Sequence, residues 1–331
     1  MFIQFEFHLQ ELPLRYEWKL SRNSSVFKTN GFVKATFLHF QGLGEAAPNI
    51  RYQETPERLQ LEFEALTSSL HIDFDIEKWS AFLENAKVCS ALKMALDMAF
   101  QNLLASISGE SLSQYLGLKP VISKDICYTI PVMQPELIEA FILRENLKRF
   151  TWLKIKVNQE LALPMIESVL KNFSGPIAID GNEAWSNQEA VLKFIQKLPK
   201  DRVLFLEQPF PAALRSEYEW LATRSEIEIW GDESVLDTAE PEFWKSAFKG
   251  INVKLMKAGT LSNAIHLLTE ARKIGLKTMI GCMVETSLGI SAALSLGSLA
   301  DFMDLDGFLL LQNEPYSLLI EENGNVRSIT K

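Results

Sequence analysis

The sequence predicts an α/β protein, an eight-stranded β/α barrel of the TIM type preceded by a smaller α+β domain, and three observations carry that expectation. Short apolar runs recur from about residue 126 onward, and segments with helical spacing fill the gaps between them. Several runs close on a charge: 177–179 at Asp180, 203–206 at Glu207, 227–230 through Gly231 at Asp232, and 251–253 at Lys254. Strand then helix, repeated, is how a parallel sheet with crossover helices reads. A chain of 331 residues has room for one barrel and one further domain.

Taken in order, residues 2–9 and 32–40 alternate as antiparallel strands do, joined by a polar connection over 16–30 that is longer than a hairpin loop. It carries Lys19, Arg22 and Lys28, which suits either a cationic lid over an anionic substrate or a solvated loop. The glycines and proline of GLGEAAP mark a turn. Helical stretches follow at 56–70, 76–86 and 88–107, the last with Leu92, Ala95, Leu96, Ala99 and Leu103 on one apolar face. These make residues 1–120 the α+β domain. The barrel, 121–305, has strands near 126–132, 151–157, 176–180, 203–207, 227–231, 250–255, 276–281 and 302–305. Amphipathic helices at 135–147, 160–171 and 260–273 lie among them. Beyond 305 no matching helix follows, so segment 306–331 is expected to return to the first domain.

The pentapeptide LKIKV, 153–157, puts Leu153, Ile155 and Val157 on one face of a strand and Lys154 and Lys156 on the other. An exposed edge strand gives the same letters. In a barrel, however, the C-terminal strand ends meet at one mouth. Asp180, Glu207 and Asp232 then share a pocket flanked by Lys156 and Lys254. Three convergent carboxylates repel one another unless a cation holds them, and an all-oxygen ligand set favours Mg²⁺. Near the end of the last strand, Asp304 and Asp306 in DLD face one side, a suitable grip for an ammonium group.

Composition narrows the function classes. A net charge of −9 with no basic run argues against a nucleic-acid binder. The three cysteines, Cys89, Cys127 and Cys282, lack metal-ligand spacing and read as buried thiols of a reducing cytoplasm. MFIQFEFHLQ lacks the marks of a signal peptide, and no apolar run reaches membrane-spanning length. The expectation is a soluble, cytoplasmic protein. His8, His39, His71 and His266 lie away from the strand ends and are not assigned to the site.

LKIKV, IAIDGNEAW, FLEQPF, GDES, INVKLMKAG and MVETSLGI, with the early GLGEAAP, resemble the enolase superfamily in its muconate lactonizing enzyme subgroup, over nearly the whole chain. The resemblance implies a modified β/α barrel with an α+β capping domain, one Mg²⁺, and removal of a proton from the carbon next to a carboxylate. Carried over by motif, Asp180, Glu207 and Asp232 are the metal ligands and Lys156 and Lys254 the two acid/base groups. Lys154 supports them by lowering the pKa of Lys156 or by contacting the substrate carboxylate. Asn182 and Glu233 neighbour the ligands, and Glu285 matches a position at the barrel mouth. The DLD pair looks like the DxD motif of the dipeptide epimerases, where it holds the amino terminus of a dipeptide. The activity implied is Mg²⁺-dependent epimerisation through an enediolate, with L-Ala-D/L-Glu from murein peptide recycling as the leading substrate and Arg22 as a binder of the glutamate side chain. An o-succinylbenzoate synthase or cycloisomerase of the same subgroup and a non-catalytic binding barrel are the alternatives, and assembly into a homo-oligomer stays open. Thr260 departs from the family pattern, standing where a second glycine is usual.

Overall fold

The computed structural model describes residues 2–19, 24–67 and 76–329. Three antiparallel strands, β1 (Gln4–Lys19), β2 (Ser24–Phe37) and β3 (Phe40–Ala46), pair in the order β1-β2-β3. Helices α1 (Pro56–Thr67), α2 (Ile76–Asn85) and α3 (Ser90–Ser108) follow. A short strand, β4 (Ser123–Asp125), leads into the eight-stranded sheet.

Two expectations for this region are corrected. The polar connection over 16–30 is mostly strand: β1 and β2 pair from Gln4↔Thr36 to Lys19↔Ser24, with an irregularity between Pro13 and Trp18. Proline has no N–H for the ladder, so the alternation slips there and the outer half of the hairpin does not read as strand. Arg22 and His71 lie outside the described residues. The glycines of GLGEAAP do not make a turn either, since Gly42 and Gly44 sit within β3. Their role is contact with α3. A Cβ at Gly42 would lie 2.1 Å from the Ala99 carbonyl oxygen, and one at Gly44 would lie 2.0 Å from that of Ala95. The turn falls instead at Leu38 and His39, where Leu38 takes a left-handed φ of 55°.

The eight parallel strands are β5 (Tyr128–Ile130), β6 (Leu153–Lys156), β7 (Ile177–Asp180), β8 (Val203–Glu207), β9 (Ile229–Gly231), β10 (Gly250–Lys254), β11 (Lys277–Gly281) and β12 (Phe302–Asp304). Each pairs with its sequence neighbours, and the Cys127 N–H donates to the Met303 carbonyl at 3.1 Å, bringing first and last strands together. Helices follow β5 through β11, whereas β12 is followed by a 3₁₀ turn, Gly307–Leu310. Leu311 bridges to Leu14 of β1, and the hairpin β13 (Leu319–Glu322) and β14 (Asn325–Ser328) pairs with β4. Thr260, the departure from the family pattern, caps helix Leu261–Lys273 by accepting from the Asn263 N–H at 3.1 Å.

Side chains inside the barrel fall into layers. Cys127, Trp152, Ala178, Phe205, Trp230 and Met279, with Phe302 against them, form an apolar plug, in which Phe205 and Trp230 stack at 4.2 Å. Alternation then sets the next inward position two residues along each strand. That step leads from Trp152 to Lys154, from Ala178 to Asp180, from Phe205 to Glu207, from Trp230 to Asp232 and from Phe302 to Asp304. The polar layer is thus the continuation of the core pattern at the C-terminal mouth.

The helix-to-strand contact gives a direct test. Gly44→Ala should cost about 3 kcal/mol of stability, because the added methyl meets backbone that cannot yield. Urea denaturation reads it, and a loss under about 1 kcal/mol would mean that α3 does not lie on the backbone of β3.

Candidate active site

The polar layer is self-neutralised. Asp180, Glu207 and Asp232 end or follow consecutive strands β7, β8 and β9, and one carboxylate oxygen of each lies within 4.8 Å of the others, all buried. Four ammonium groups answer them. Lys154 Nζ lies 2.8 Å from Glu207, 2.8 Å from Asp304 and 3.2 Å from Asp180. Lys156 reaches Asp180 at 2.6 Å, Lys254 reaches Asp232 Oδ2 at 2.7 Å, and Lys257 donates to Asp232 Oδ1 at 2.6 Å.

The lysines divide by exposure. Lys154 and Lys257 are sealed, each side chain 1% exposed, while Lys156 at 12% and Lys254 at 10% line a cavity of about 730 Å³ between barrel mouth and cap. The volume suits a small ligand. Lys156 on β6 and Lys254 on β10 stand four strands apart around an eight-stranded sheet, hence on opposite walls, with the three acids between them. Sequence reasoning placed these groups at one mouth, and the structure brings them together.

Each acid also has a holder. The Asn182 N–H donates to Asp180 at 2.9 Å, Asn252 Nδ2 to Glu207 at 2.8 Å, and Gln208 accepts the Asp232 N–H at 2.8 Å. Sequence reasoning overlooked Asn252, Gln208 and Lys257. The signal for Lys257 was its place three residues after Lys254, one turn of the short helix Leu255–Ala258. Glu207 Oε2 is buried, facing Lys154 Nζ without hydrogen-bond alignment, and accepts no hydrogen bond. An orphaned buried oxygen beside two further carboxylates is a donor set that fits a hard divalent cation.

Burial raises every acid in this layer, and the lysines decide what remains. At Asp180 the Lys154 and Lys156 charges outweigh burial and hold the carboxyl low, as Lys254 and Lys257 do at Asp232. Glu207 is pushed up to about 7 by burial, with the Asp180 and Asp232 charges adding to it against Lys154. Lys254 loses charge stability to burial, but the Asp232 carboxylate more than restores it.

Asp304 and Asp306 line the same cavity wall beside Thr129, whose N–H donates to Asp306 at 2.6 Å and whose hydroxyl donates to Asp304 at 3.3 Å. Burial and the Asp304 charge push Asp306 up to about 7, while Lys154 overcomes burial to hold Asp304 low. The pair therefore carries between one and two negative charges near neutrality, enough for one ammonium ligand. On the cap side Lys28 faces the cavity. Burial alone draws its ammonium below the usual range, with no carboxylate among the described residues offsetting the effect. None of the described histidines lines the cavity.

Comparison with known proteins shows the family of the chain. Residues 139–319 match the family model described as enolase C-terminal domain-like. The chain is 33% identical to the L-Ala-D/L-amino acid epimerase of Pedosphaera parvula, over 97% of this chain and 95% of that one. It is 28% identical to the L-Ala-D/L-Glu epimerase of Bacteroides thetaiotaomicron, over 98% and 85%. The dipeptide epimerase of Methylococcus capsulatus, solved with Mg and the dipeptide L-Arg-D-Lys, superposes with a TM-score of 0.86 at 25% identity, covering 99% of this chain and 97% of that one.

A second acidic pair seals cap to barrel. Glu45 of β3 accepts from Asn30 Nδ2, the Thr286 N–H and hydroxyl, and the Gly289 N–H. Glu285, 1% exposed, converges with it over Gly289, and its Oε2 has no hydrogen-bond partner. Burial, then the Glu45 charge, pushes Glu285 up to about 8 from an ordinary 4.5. Between those values the folded chain keeps a proton that the unfolded chain has lost, so stability falls as pH rises through that window. Glu285→Gln should flatten the fall, gaining about 1 kcal/mol or more over the parent at alkaline pH and little in acid. Urea titrations at both ends of the window measure it, and parallel curves would show that Glu285 is ionised throughout.

Proposed function

On the premise that this chain belongs to the enolase superfamily, we propose that it is an isomerase, a Mg²⁺-dependent dipeptide epimerase that inverts the α-carbon of the C-terminal residue by proton transfer between two lysines. The observation that carries the reading is the pairing of Lys156 and Lys254, the two cavity-facing ammonium groups of the polar layer, on opposite walls with three carboxylates between them. The relatives named as epimerases and the Mg in the solved neighbour support it.

Asp180, Glu207 and Asp232 would hold the cation, whose charge, when bound, offsets the second negative charge that develops on the substrate carboxylate as the α-proton leaves. Lys156 takes that proton from one face, and Lys254 returns one from the other. Opposed placement makes the two faces chemically equivalent, and that is what inversion needs. Asp304 and Asp306 receive the free amino terminus, which fixes the chain direction of the dipeptide and brings its second α-carbon between the lysines. Lys154 and Lys257, sealed from the cavity, do not reach the substrate and stay out of proton transfer.

For the substrate we infer an acidic C-terminal residue, as in L-Ala-D/L-Glu. Lys28 supports it, a cavity-facing ammonium that would otherwise be desolvated without a counter-charge. The name of the Bacteroides relative points the same way.

Incubating L-Ala-L-Glu in deuterated water should exchange the α-hydrogen of the glutamate while the diastereomer accumulates. Lys156→Ala and Lys254→Ala should each lower epimerisation by about 10³-fold, and exchange persisting in the double variant would defeat the two-lysine scheme. For the substrate, Lys28→Met should reduce the preference for L-Ala-L-Glu over L-Ala-L-Gln by about tenfold in kcat/KM, the size of one lost charge-assisted contact. An unchanged ratio would remove Lys28 from recognition.

A further inference from the structure

The loop that follows Asp180 at the barrel mouth is strained and meets the cap. Asn182 and Glu183 are consecutive non-glycine residues in the left-handed region, with φ of 44° and 60°, and Gln208 on the neighbouring loop has a φ of 37°. Three such residues adjoin Asp180 and Glu207, and backbone of this kind persists only where its surroundings over-determine it. The loop is held by the Glu183 N–H donating to the Gln208 carbonyl at 2.8 Å and the Gly181 N–H donating to the Glu207 carbonyl at 2.8 Å. Its product is the Asn182 N–H aimed at Asp180 Oδ1 at 2.9 Å, and the Asn182 side chain on Glu233 at 2.9 Å.

What fixes Glu183 comes from the other domain. Arg51, in the 3₁₀ turn Ile50–Tyr52 of the cap, grips the Glu183 carboxylate in a fork, Nε to Oε2 at 2.9 Å and Nη2 to Oε1 at 3.0 Å. The Glu183 side chain is 1% exposed, whereas that of Arg51 is 40% exposed. A buried carboxylate that loses its bidentate partner must move toward water or take up a proton, and either change releases the turn it anchors. The Ala212 N–H also donates to Glu183, at 2.8 Å, so the carboxylate ties cap, loop and the segment after β8 to one point.

We propose that Arg51 is a positioning residue for the cation site: seated on Glu183, it holds the 181–184 loop so that Asn182 orients Asp180, and cation affinity thereby depends on the docking of the cap. The inference rests on reading Asp180 as a cation ligand. A pair that only stapled the domains together would affect stability alone, and affinity for the ion separates the two roles.

The experiment is calorimetric titration of Mg²⁺ into the full chain without substrate, alongside thermal unfolding, for the parent, Arg51→Lys, Glu183→Gln and the two combined. Lysine keeps the charge but not the fork, and glutamine keeps the shape but not the charge. Each single change should weaken Mg²⁺ binding by about tenfold, as loss of an outer hydrogen bond to a ligand does, and the double variant should be no weaker than the poorer single one. Unchanged Mg²⁺ affinity in both single variants, with lowered unfolding temperatures, would overturn the inference and leave a staple. If Asp180→Asn does not weaken Mg²⁺ binding in the parent background, the assignment of Asp180 fails, and the role of Arg51 fails with it.

Discussion

Three carboxylates held within 4.8 Å of one another in a buried layer are the constraint on which the rest of the barrel depends. Removing such charges from water costs several kcal/mol each, and mutual repulsion adds to it, so they persist only with compensating charge at close range. The compensation is local and stoichiometric: Lys154, Lys156, Lys254 and Lys257 face Asp180, Glu207, Asp232 and Asp304. A group of this kind cannot sit in the middle of a core. It forms at the strand ends, where the plug of Trp152, Phe205, Trp230 and Phe302 closes the barrel on one side and the cavity admits a ligand on the other.

The same layer sets identical side chains at unlike depths. A strand step of two residues moves a lysine from the sealed position of Lys154 to the cavity wall at Lys156, and a helical turn separates Lys254 from Lys257. Of the sealed pair, Lys154 is enclosed by Asp180, Glu207 and Asp304, and Lys257 by the Asp232 carboxylate and the carbonyls of Asp232 and Asn252, so neither reaches the cavity. The cavity pair is held by one carboxylate each and presents its nitrogen to the open space. The division between sealed counter-ions and cavity-facing lysines thus follows from backbone periodicity.

How much of this was legible in the sequence depended on whether the cause was local. A charge closing an apolar run is a local signal, and it located Asp180, Glu207, Asp232 and Lys254 because strand ends and barrel mouth coincide. Alternation likewise put both lysines of LKIKV on one face. The glycines of GLGEAAP were misread because their cause is not local: Gly42 and Gly44 are small to admit Ala95 and Ala99 of a helix some fifty residues on. The outer half of the β1–β2 hairpin was missed for the opposite reason, a single proline interrupting an otherwise regular pattern. Asn252, Gln208 and Arg51 left no trace in the sequence, since each matters only through a partner on another strand or in another domain.

The cap and the barrel share one apolar core, and three polar, directional contacts are set into their junction. Asp97 of α3 accepts from Trp79 at 3.0 Å and from the Leu261 N–H at 2.8 Å, Glu45 of β3 takes the N–H groups at the start of helix Ser287–Ser295, and Arg51 grips Glu183. Apolar contact tolerates sliding, because its energy follows area and hardly angle. A buried carboxylate tolerates neither displacement nor rotation without losing a hydrogen bond it cannot replace. Three such anchors, spread over a helix, a strand and a turn of the cap, fix its seating in all directions. Lys28 and the cavity wall of the cap are thereby registered against Lys156 and Lys254 on the barrel. The two walls of the cavity, one from each domain, are thus held at a constant separation.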